Sequence, residues 1–507
     1  MAETALNGEQ RKALENTDFA IRYGRRQSVY RAYAGGGKTF ILVKTAEQVP
    51  GEVLLIAFNA AIIKDVAPRL KHLLKGRVRA LTSHQLALRS LPVDFQAGVK
   101  ESLQEHNGQL AAPQIVDALD LQDYEHGGFR LPAMAIATSV GRTVTRFCQT
   151  ADDTITSAHI PRSTYIPTDM QGMIVHEAVR LWTAFQNLSV PITHDAYFKL
   201  WALSKPQIPE TTRLIDESQD TNPVLTDVML NQKDGLNVWA GDPYQSIYSW
   251  RGAKNALEIV SARSDAITSL LTQSFRFGEE TAAMATKLLG TLGETHPVRG
   301  TGSTKVQGVM NIAPSHVAAK VSSPFAWIAF TNTALIKAAV DCTEADIPFH
   351  IVGQGRDQKR LIFAAMALKR GEYQAGGPLA AYKSWSHLQE EAEHNPNGDA
   401  AKIVKMQQYP GFYAISNALK ASTQNECDAK VILTTVHAAK GREWDLVVLD
   451  ADLDADRVDT ETRKFHTSAG RLHFDDREDV HLRYVAITRA RKRLVMACPL
   501  LYHWLTR

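Results

Sequence analysis

The sequence predicts an α/β protein with two parallel-sheet cores, each interrupted by a mainly helical insertion. Three observations carry that expectation. Short apolar, β-rich runs alternate with helical patterns in two separate stretches, each run stops at polar or Gly residues, and a long segment of different texture divides the first stretch. Buried parallel strands have this form when chemistry sits at their C-terminal ends. In the first stretch the runs are Val53 to Ala57, Leu214 to Ile215 and Asn237 to Ala240. In the second they are Trp327 to Phe330, Val431 to Thr434, Leu446 to Leu449 and Leu494 to Ala497.

The segment from Thr82 to Leu214 combines helical patterns, Pro-containing breaks and many Trp, Tyr and His residues, so it is expected as an insertion. A shorter one follows Leu361, punctuated by turn signals at Gly376-Gly377-Pro378 and Asn395-Pro396-Asn397-Gly398. A length of 507 residues accommodates about three or four compact units. With 44% hydrophobic and 22% charged residues, the composition excludes a mostly disordered chain, a collagen-like repeat and a disulfide-dense miniprotein. A balance of 57 basic against 54 acidic residues gives +3, too little for the whole molecule to act as a polycation, so any basic surface is local. Cys148, Cys342, Cys427 and Cys498 form no C-x-x-C pair, which argues against a zinc ribbon or iron–sulfur cluster and for a reducing compartment. The N-terminus lacks the pattern of a signal peptide, and no run of 18 apolar residues occurs. A cytoplasmic protein without membrane association is expected, or a nuclear one in a eukaryote.

Ala32-Tyr33-Ala34-Gly35-Gly36-Gly37-Lys38-Thr39 ends as a P-loop does, with Ala32 where the simplest pattern has its first Gly. Gly35, Gly36 and Gly37 let backbone N–H groups close around phosphate oxygens. Lys38 can reach the β- and γ-phosphates, and the Thr39 hydroxyl can hold Mg²⁺. A helix beginning near Lys38 would aim its positive end at the anion. Hydrolysis needs carboxylates at a second strand end, which Arg213-Leu214-Ile215-Asp216-Glu217 supplies. Asp216 is the candidate Mg²⁺ ligand and Glu217 the candidate base for the attacking water. Together these motifs predict a P-loop nucleoside triphosphatase using ATP and Mg²⁺.

Longer stretches resemble a known family. Asp216-Glu217-Ser218-Gln219-Asp220-Thr221-Asn222-Pro223 is similar to motif II of the UvrD/Rep/PcrA superfamily 1 helicases, and Gly241-Asp242-Pro243-Tyr244-Gln245-Ser246-Ile247-Tyr248-Ser249-Trp250-Arg251-Gly252-Ala253 to their motif III. Thr434 to Asp445, with His437-Ala438-Ala439-Lys440-Gly441, resembles motif V; Tyr484-Val485-Ala486-Ile487-Thr488-Arg489-Ala490 resembles motif VI; Leu6-Asn7-Gly8-Glu9-Gln10 resembles the Q motif. All stand in the family order. Ala32-Tyr33-Ala34, Ile56-Ala57-Phe58-Asn59 and His194 to Trp201 bring the chain nearest to the F-box DNA helicase branch, though no F-box fits ahead of Gln10.

The resemblance implies two RecA-like cores. Residues 1–85 would begin the first, with the Q motif, P-loop and motifs Ia and Ib; 86–209 would be its helical insertion and 210–275 its continuation with motifs II and III. Residues 276–360 would begin the second, 361–427 form a reduced insertion, and 428–507 complete it with motifs V and VI. Gln10 would then bond the adenine edge, Phe275 stack on the base, Glu443 hold the ribose and Gln245 sense the γ-phosphate. Arg276 and Arg489 would contact that phosphate, a task suited to guanidinium groups because they stay charged and bind oxygens bidentately. Phe58, Tyr248 and Trp250 are the candidate base-stacking residues; Asn59, Thr82, His84, Arg251, His437 and Lys440 are candidate polar contacts to DNA.

Two departures stand out. Phe330 lies where relatives usually carry Arg, and Phe40 where UvrD-type enzymes often have Arg. Asp452, Asp454 and Asp456 have the alternate spacing of a calcium loop, but Arg457 occupies the required Gly position and Arg463 the bidentate Glu position. The resemblance implies an ATP-dependent single-stranded DNA translocase and DNA helicase, moving 3′ to 5′, monomeric, and engaging single strands and single/double-strand junctions. Repair, recombination control or replication would be its setting, with recombinase or replication proteins as partners. Two alternatives stay open: a translocase that strips proteins from single strands with little unwinding, and an ATP-switched DNA-binding or regulatory subunit of a larger complex, such as a defence system.

Overall fold

The computed structural model describes residues 6–57, 63, 76–126, 129–161, 166–247, 255–353, 356–373, 378–379, 382–394, 399–454 and 477–507. The turn signals at Gly376-Gly377 and at 395–398, and the calcium-loop positions Asp456, Arg457 and Arg463, lie outside the described residues. Two compact units emerge. One comprises Met1–Tyr33 and Gly37–Leu271, the other Ala34–Gly36 and Thr272–Arg507.

The first unit is built on a six-stranded parallel sheet: β1 (Gln27–Ala32), β2 (Val53–Ala57), β3 (Val78–Thr82), β6 (Thr212–Ile215), β7 (Leu236–Gly241) and β8 (Ala266–Leu271), in the order β3-β2-β6-β7-β1-β8. Between β3 and β6 runs the helical insertion, which also holds a short antiparallel hairpin of β4 (Tyr124–His126) and β5 (Phe129–Leu131). Strand alternation divides the apolar residues between two faces. Val29, Leu54, Ile56, Ile215 and Trp239 join a core that continues into the insertion through Phe147, Trp182, Phe198 and Trp201. Tyr30, Val53, Leu55, Leu214 and Val238 pack instead on Ala13, Ile41 and Leu42 of the helices Gly8–Arg22 and Lys38–Gln48.

Register decides where the site can form. Arg31 pairs with Gly241 and Ile215 with Trp239, so β1 and β7 end within a residue of each other while β6 stops two residues short of β7, which puts Asp216 and Glu217 beside the last residues of β7. The loop after β1 and the acids after β6 are two strands apart, roughly 10 Å at the usual strand spacing. The end of β7 lies between them.

The second unit repeats the architecture with β11 (Lys305–Gly308), β12 (Phe325–Ala329), β13 (Phe349–Ile351), β14 (Val431–Thr435), β15 (Trp444–Leu449) and β16 (Ala490–Met496), all parallel, in the order β11-β16-β15-β12-β14-β13. A separate two-stranded ladder joins β9 (Gln273–Gly278) and β10 (Arg299–Gly302). The insertion between β13 and β14 packs its helices on the same core as the sheet: Ile362, Leu388, Ile403 and Ile415 share it with Phe325, Val431 and Val448.

A buried guanidinium anchors the start of β6. Arg213 donates from Nε to Asn237 Oδ1 (2.7 Å), from Nη1 to the Glu210 carbonyl (3.0 Å) and from Nη2 to the Asp234 carbonyl (2.6 Å). Burial lowers its pKa to about 10 against the support of Glu210 and Asp234. Arg213→Met would leave those acceptors without their donor, so a loss of about 2–4 kcal/mol is expected in denaturant unfolding. Nucleotide affinity should persist, because Arg213 sits near the entry of β6 and the acids at its exit.

Candidate nucleotide site

The phosphate-loop sequence folds into the expected turn. Gly35 and Gly37 adopt φ +74° and +77°, a region that costs other L-residues roughly 1–2 kcal/mol. A Cβ on Gly35 would also stand 2.4 Å from Ser274 Oγ and 2.7 Å from Arg276 Cβ, so the position excludes a side chain on space alone. Gly37 is the N-cap of the helix Lys38–Gln48, and no side chain caps it, leaving backbone N–H groups to face an anion.

Lys38 and Thr39 open that helix beside the acid pair. Lys38 Nζ lies 3.9 Å from Glu217 Oε2, and Thr39 Oγ1 donates to Asp216 Oδ2 at 3.2 Å. The other Asp216 oxygen accepts the Glu217 N–H at 2.8 Å. Glu217 itself takes the left-handed conformation, φ +49°, which turns the chain sharply beyond the strand. Burial, with the Glu217 charge beside it, raises the Asp216 pKa from 3.8 to about 6, against the opposing pull of Lys38, the Glu217 N–H and Thr39. A buried carboxylate short of positive charge, beside a hydroxyl, fits a hard divalent cation. Mg²⁺ commonly takes only one or two protein oxygens and fills its remaining positions with phosphate and water. Asp216 and Thr39 would hold it, and its positive charge would offset that of the phosphates. Among the described residues no group of three or more acid, His or Cys ligands gathers as a metal cage.

A chain of hydrogen bonds leaves the acid pair for the end of β7. Gln219 Nε2 donates to Glu217 Oε2 at 2.6 Å, and Gln219 Oε1 accepts the Asp242 N–H at 3.1 Å. Asp242 in turn accepts from Gln245 Nε2 (2.6 Å) and from the Tyr244 N–H (3.0 Å). Gln245, expected as the γ-phosphate sensor, is thus linked to the acids through Asp242 and Gln219. Sequence reasoning gave neither of those two residues a role, although a buried polar run directly after an acid pair was a signal for them.

Other expected nucleotide contacts have defined places. Gln10 closes a capping box with Asn7, donating its N–H to Asn7 Oδ1 (2.7 Å) and accepting the Asn7 N–H on Oε1 (3.1 Å). In the second unit Phe275 is half exposed, and its N–H donates to the Gly35 carbonyl at 2.9 Å. Arg276 donates from Nε to Glu443 Oε2 (2.6 Å) and from Nη1 to the Thr488 carbonyl (3.2 Å). Arg489, fully buried, donates to the carbonyls of Val485 and Arg442 and to Thr488 Oγ1. Arg276, Glu443 and Arg489 therefore meet around Thr488, and Glu443 serves an ion pair in this conformation.

Of the expected DNA contacts, Phe58, Asn59, Tyr248, Trp250 and Arg251 lie outside the described residues. Thr82 caps the helix Ser83–Ser90, its hydroxyl accepting the Gln85 N–H. His84 packs among His194, Tyr197 and Phe198, where burial lowers its pKa and favours the neutral ring. His437 stands in the short helix Val436–Ala439, and Lys440 is its C-cap.

A phosphate-binding turn, a helix N-terminus and a strand-end acid pair on one parallel sheet define the class of P-loop nucleotide-binding α/β proteins. Comparison with known proteins narrows this. Residues 202–265 match the UvrD/REP helicase N-terminal domain and residues 382–499 the UvrD-like helicase C-terminal domain. It is 27% identical over 493 residues to F-box DNA helicase protein 1 of Schizosaccharomyces pombe, covering 92% of this chain and 55% of the relative. With F-box DNA helicase 1 of Gallus gallus it shares 26% over 535 residues, covering 98% and 49%. With the ATP-dependent DNA helicase PcrA of Staphylococcus epidermidis it shares 24% over 331 residues, covering 60% and 43%. The chain spans about half the length of these relatives. No helix among the described residues is long and apolar enough to cross a membrane.

The Asp216 shift makes a signed prediction. The folded carboxyl keeps its proton to about pH 6, whereas the unfolded one releases it near 3.8. The native state therefore binds more protons in that window, and stability falls as pH rises through it. At pH 7.5 without nucleotide, Asp216→Asn should melt higher than the parent, and the difference should vanish below about pH 4. A lower melting point for Asp216→Asn at pH 7.5 contradicts this.

Proposed function

We propose that this chain is an ATP-dependent single-stranded DNA translocase and helicase. The observation that carries the reading is the placement of Lys38 and Thr39 against Asp216 and Glu217 on one sheet end. Phosphate binding, a cation seat and a base for water stand there together.

In this reading Lys38 and the loop N–H groups hold the phosphates, and Glu217 accepts a proton from the attacking water. Arg276 and Arg489, carried by the second unit, supply positive charge to the transferring phosphoryl group. Here Arg276 is bonded to Glu443 and the Thr488 carbonyl, and Arg489 to the carbonyls of Val485 and Arg442 and to Thr488 Oγ1. Phe275 is exposed enough to stack on a base. The names of the relatives support DNA as the polymer and ATP as the fuel. Translocation 3′ to 5′, action at single/double-strand junctions, and a place in repair, recombination control or replication belong to the same proposal.

Steady-state ATP hydrolysis with and without single-stranded DNA is the test. Turnover should rise on adding the strand. Lys38→Ala and Glu217→Gln should each lower the stimulated rate by about 10²-fold or more. A parent protein whose turnover ignores single-stranded DNA, or a Glu217→Gln variant of undiminished rate, is incompatible with the proposal. Trp250→Ala should keep ATP turnover while losing strand displacement.

A further inference from the structure

Gln219 is fully buried, yet its side chain is turned entirely to polar work. Its NH₂ group faces two carboxylates, donating to Glu217 Oε2 at 2.6 Å and to Asp220 Oδ2 at 3.3 Å. Its carbonyl faces a donor, the Asp242 N–H at 3.1 Å. That pattern fixes the amide's orientation, because the flipped form would set its oxygen against two carboxylates and its NH₂ against an N–H. The backbone of Gln219 adds a second tie, its carbonyl accepting Ser246 Oγ at 3.3 Å. Space is reserved for the arrangement: a Cβ on Gly241 would come within 2.4 Å of Gln219 Oε1. The following segment is braced from Asp242 by the Gln245 amide at 2.6 Å and by the Tyr244 N–H at 3.0 Å.

We propose that Gln219 is a positioning residue for the reaction: anchored to the end of β7 through Asp242, it sets the direction of the Glu217 carboxylate and makes that direction follow the 242–246 segment. The inference rests on the reading of Glu217 as the base. A carboxylate three bonds beyond its Cα has free torsions, and in a left-handed turn its own main chain does not fix them. The short bond from Gln219 removes that freedom. Movement of Asp242 by an ångström would pull the amide and swing the carboxylate relative to water. A shift of the 242–246 segment would then alter hydrolysis without any contact to nucleotide.

A double-mutant cycle tests this on the full chain. Single-turnover ATP hydrolysis is measured for the parent, Gln219→Met, Glu217→Gln and the double variant, with and without single-stranded DNA, alongside KM for ATP and thermal melting. Gln219→Met should lower kcat at least tenfold with KM within threefold, and should reduce stimulation by DNA to less than twofold. Added to Glu217→Gln it should cost nothing further, because it acts through that carboxylate. Multiplying losses in the double variant, or a folded Gln219→Met at the parental rate, overturn the proposal. Should Gln219→Met fail to fold, Gln219→Glu decides: it keeps an acceptor for Asp242 but sets a like charge against Glu217. A folded Gln219→Glu with the parental rate is equally fatal. If the parent shows no stimulation by DNA, the translocase reading falls, while the cycle on the basal rate still judges Gln219.

Discussion

The site depends on two negative side chains held side by side at the buried end of a strand. Asp216 is withdrawn from water, and Glu217, itself in the left-handed conformation, follows directly beside it. Such a pair is unfavourable alone, and the fold offsets it with Lys38, the Thr39 hydroxyl and the Glu217 N–H. The compensation is incomplete, which is why the Asp216 pKa stays raised. The remaining deficit is a demand for positive charge that a divalent cation carrying phosphates would meet.

Sheet order converts this local chemistry into a connected device. Because β7 lies between β6 and β1, the residues that follow it start beside both the acids and the phosphate loop. Gly241 has no side chain at the point where Gln219 crosses, and Asp242 meets that amide with its N–H. A different order, with β6 beside β1, would bring the acids nearer the loop and leave no place for a third segment to report on them.

Contiguous chemistry was legible in the sequence, and chemistry that depends on strand adjacency was not. The glycine run with Lys38-Thr39 and the acid pair are each written in consecutive residues, and β2, β6, β7, β12, β14, β15 and β16 show as apolar runs. The edge strand β3, whose burial is only partial, and the short β13 lacked such a signal. The bond between Gln219 and Asp242 spans 23 residues and exists only because β6 and β7 are neighbours. Thr82 was readable in another sense. Thr82-Ser83-His84-Gln85 has the capping-box form of a hydroxyl followed three residues later by Gln, and it folds as one.

The alternate aspartates near the end of β15 explain why the second core, of similar architecture, offers no matching phosphate seat after β12. β12 runs directly into the helix Asn332–Glu344, as β1 runs through its loop into Lys38–Gln48. At that exit Asp452 accepts the N–H groups of Phe330 and Thr331, each at 2.8 Å, and the Thr331 hydroxyl at 2.9 Å. The donors that a phosphate would use are already taken by a carboxylate of the same chain. Asp450 accepts Trp327 Nε1, and Asp454 accepts the N–H groups of Leu500 and Leu501 at the start of the last helix. Asp452 and Asp454, two of the three positions whose spacing suggests a calcium loop, thus serve separate parts of the fold. With its own anion in place, this turn has no use for a glycine cradle, which is consistent with Phe330-Thr331-Asn332 standing there.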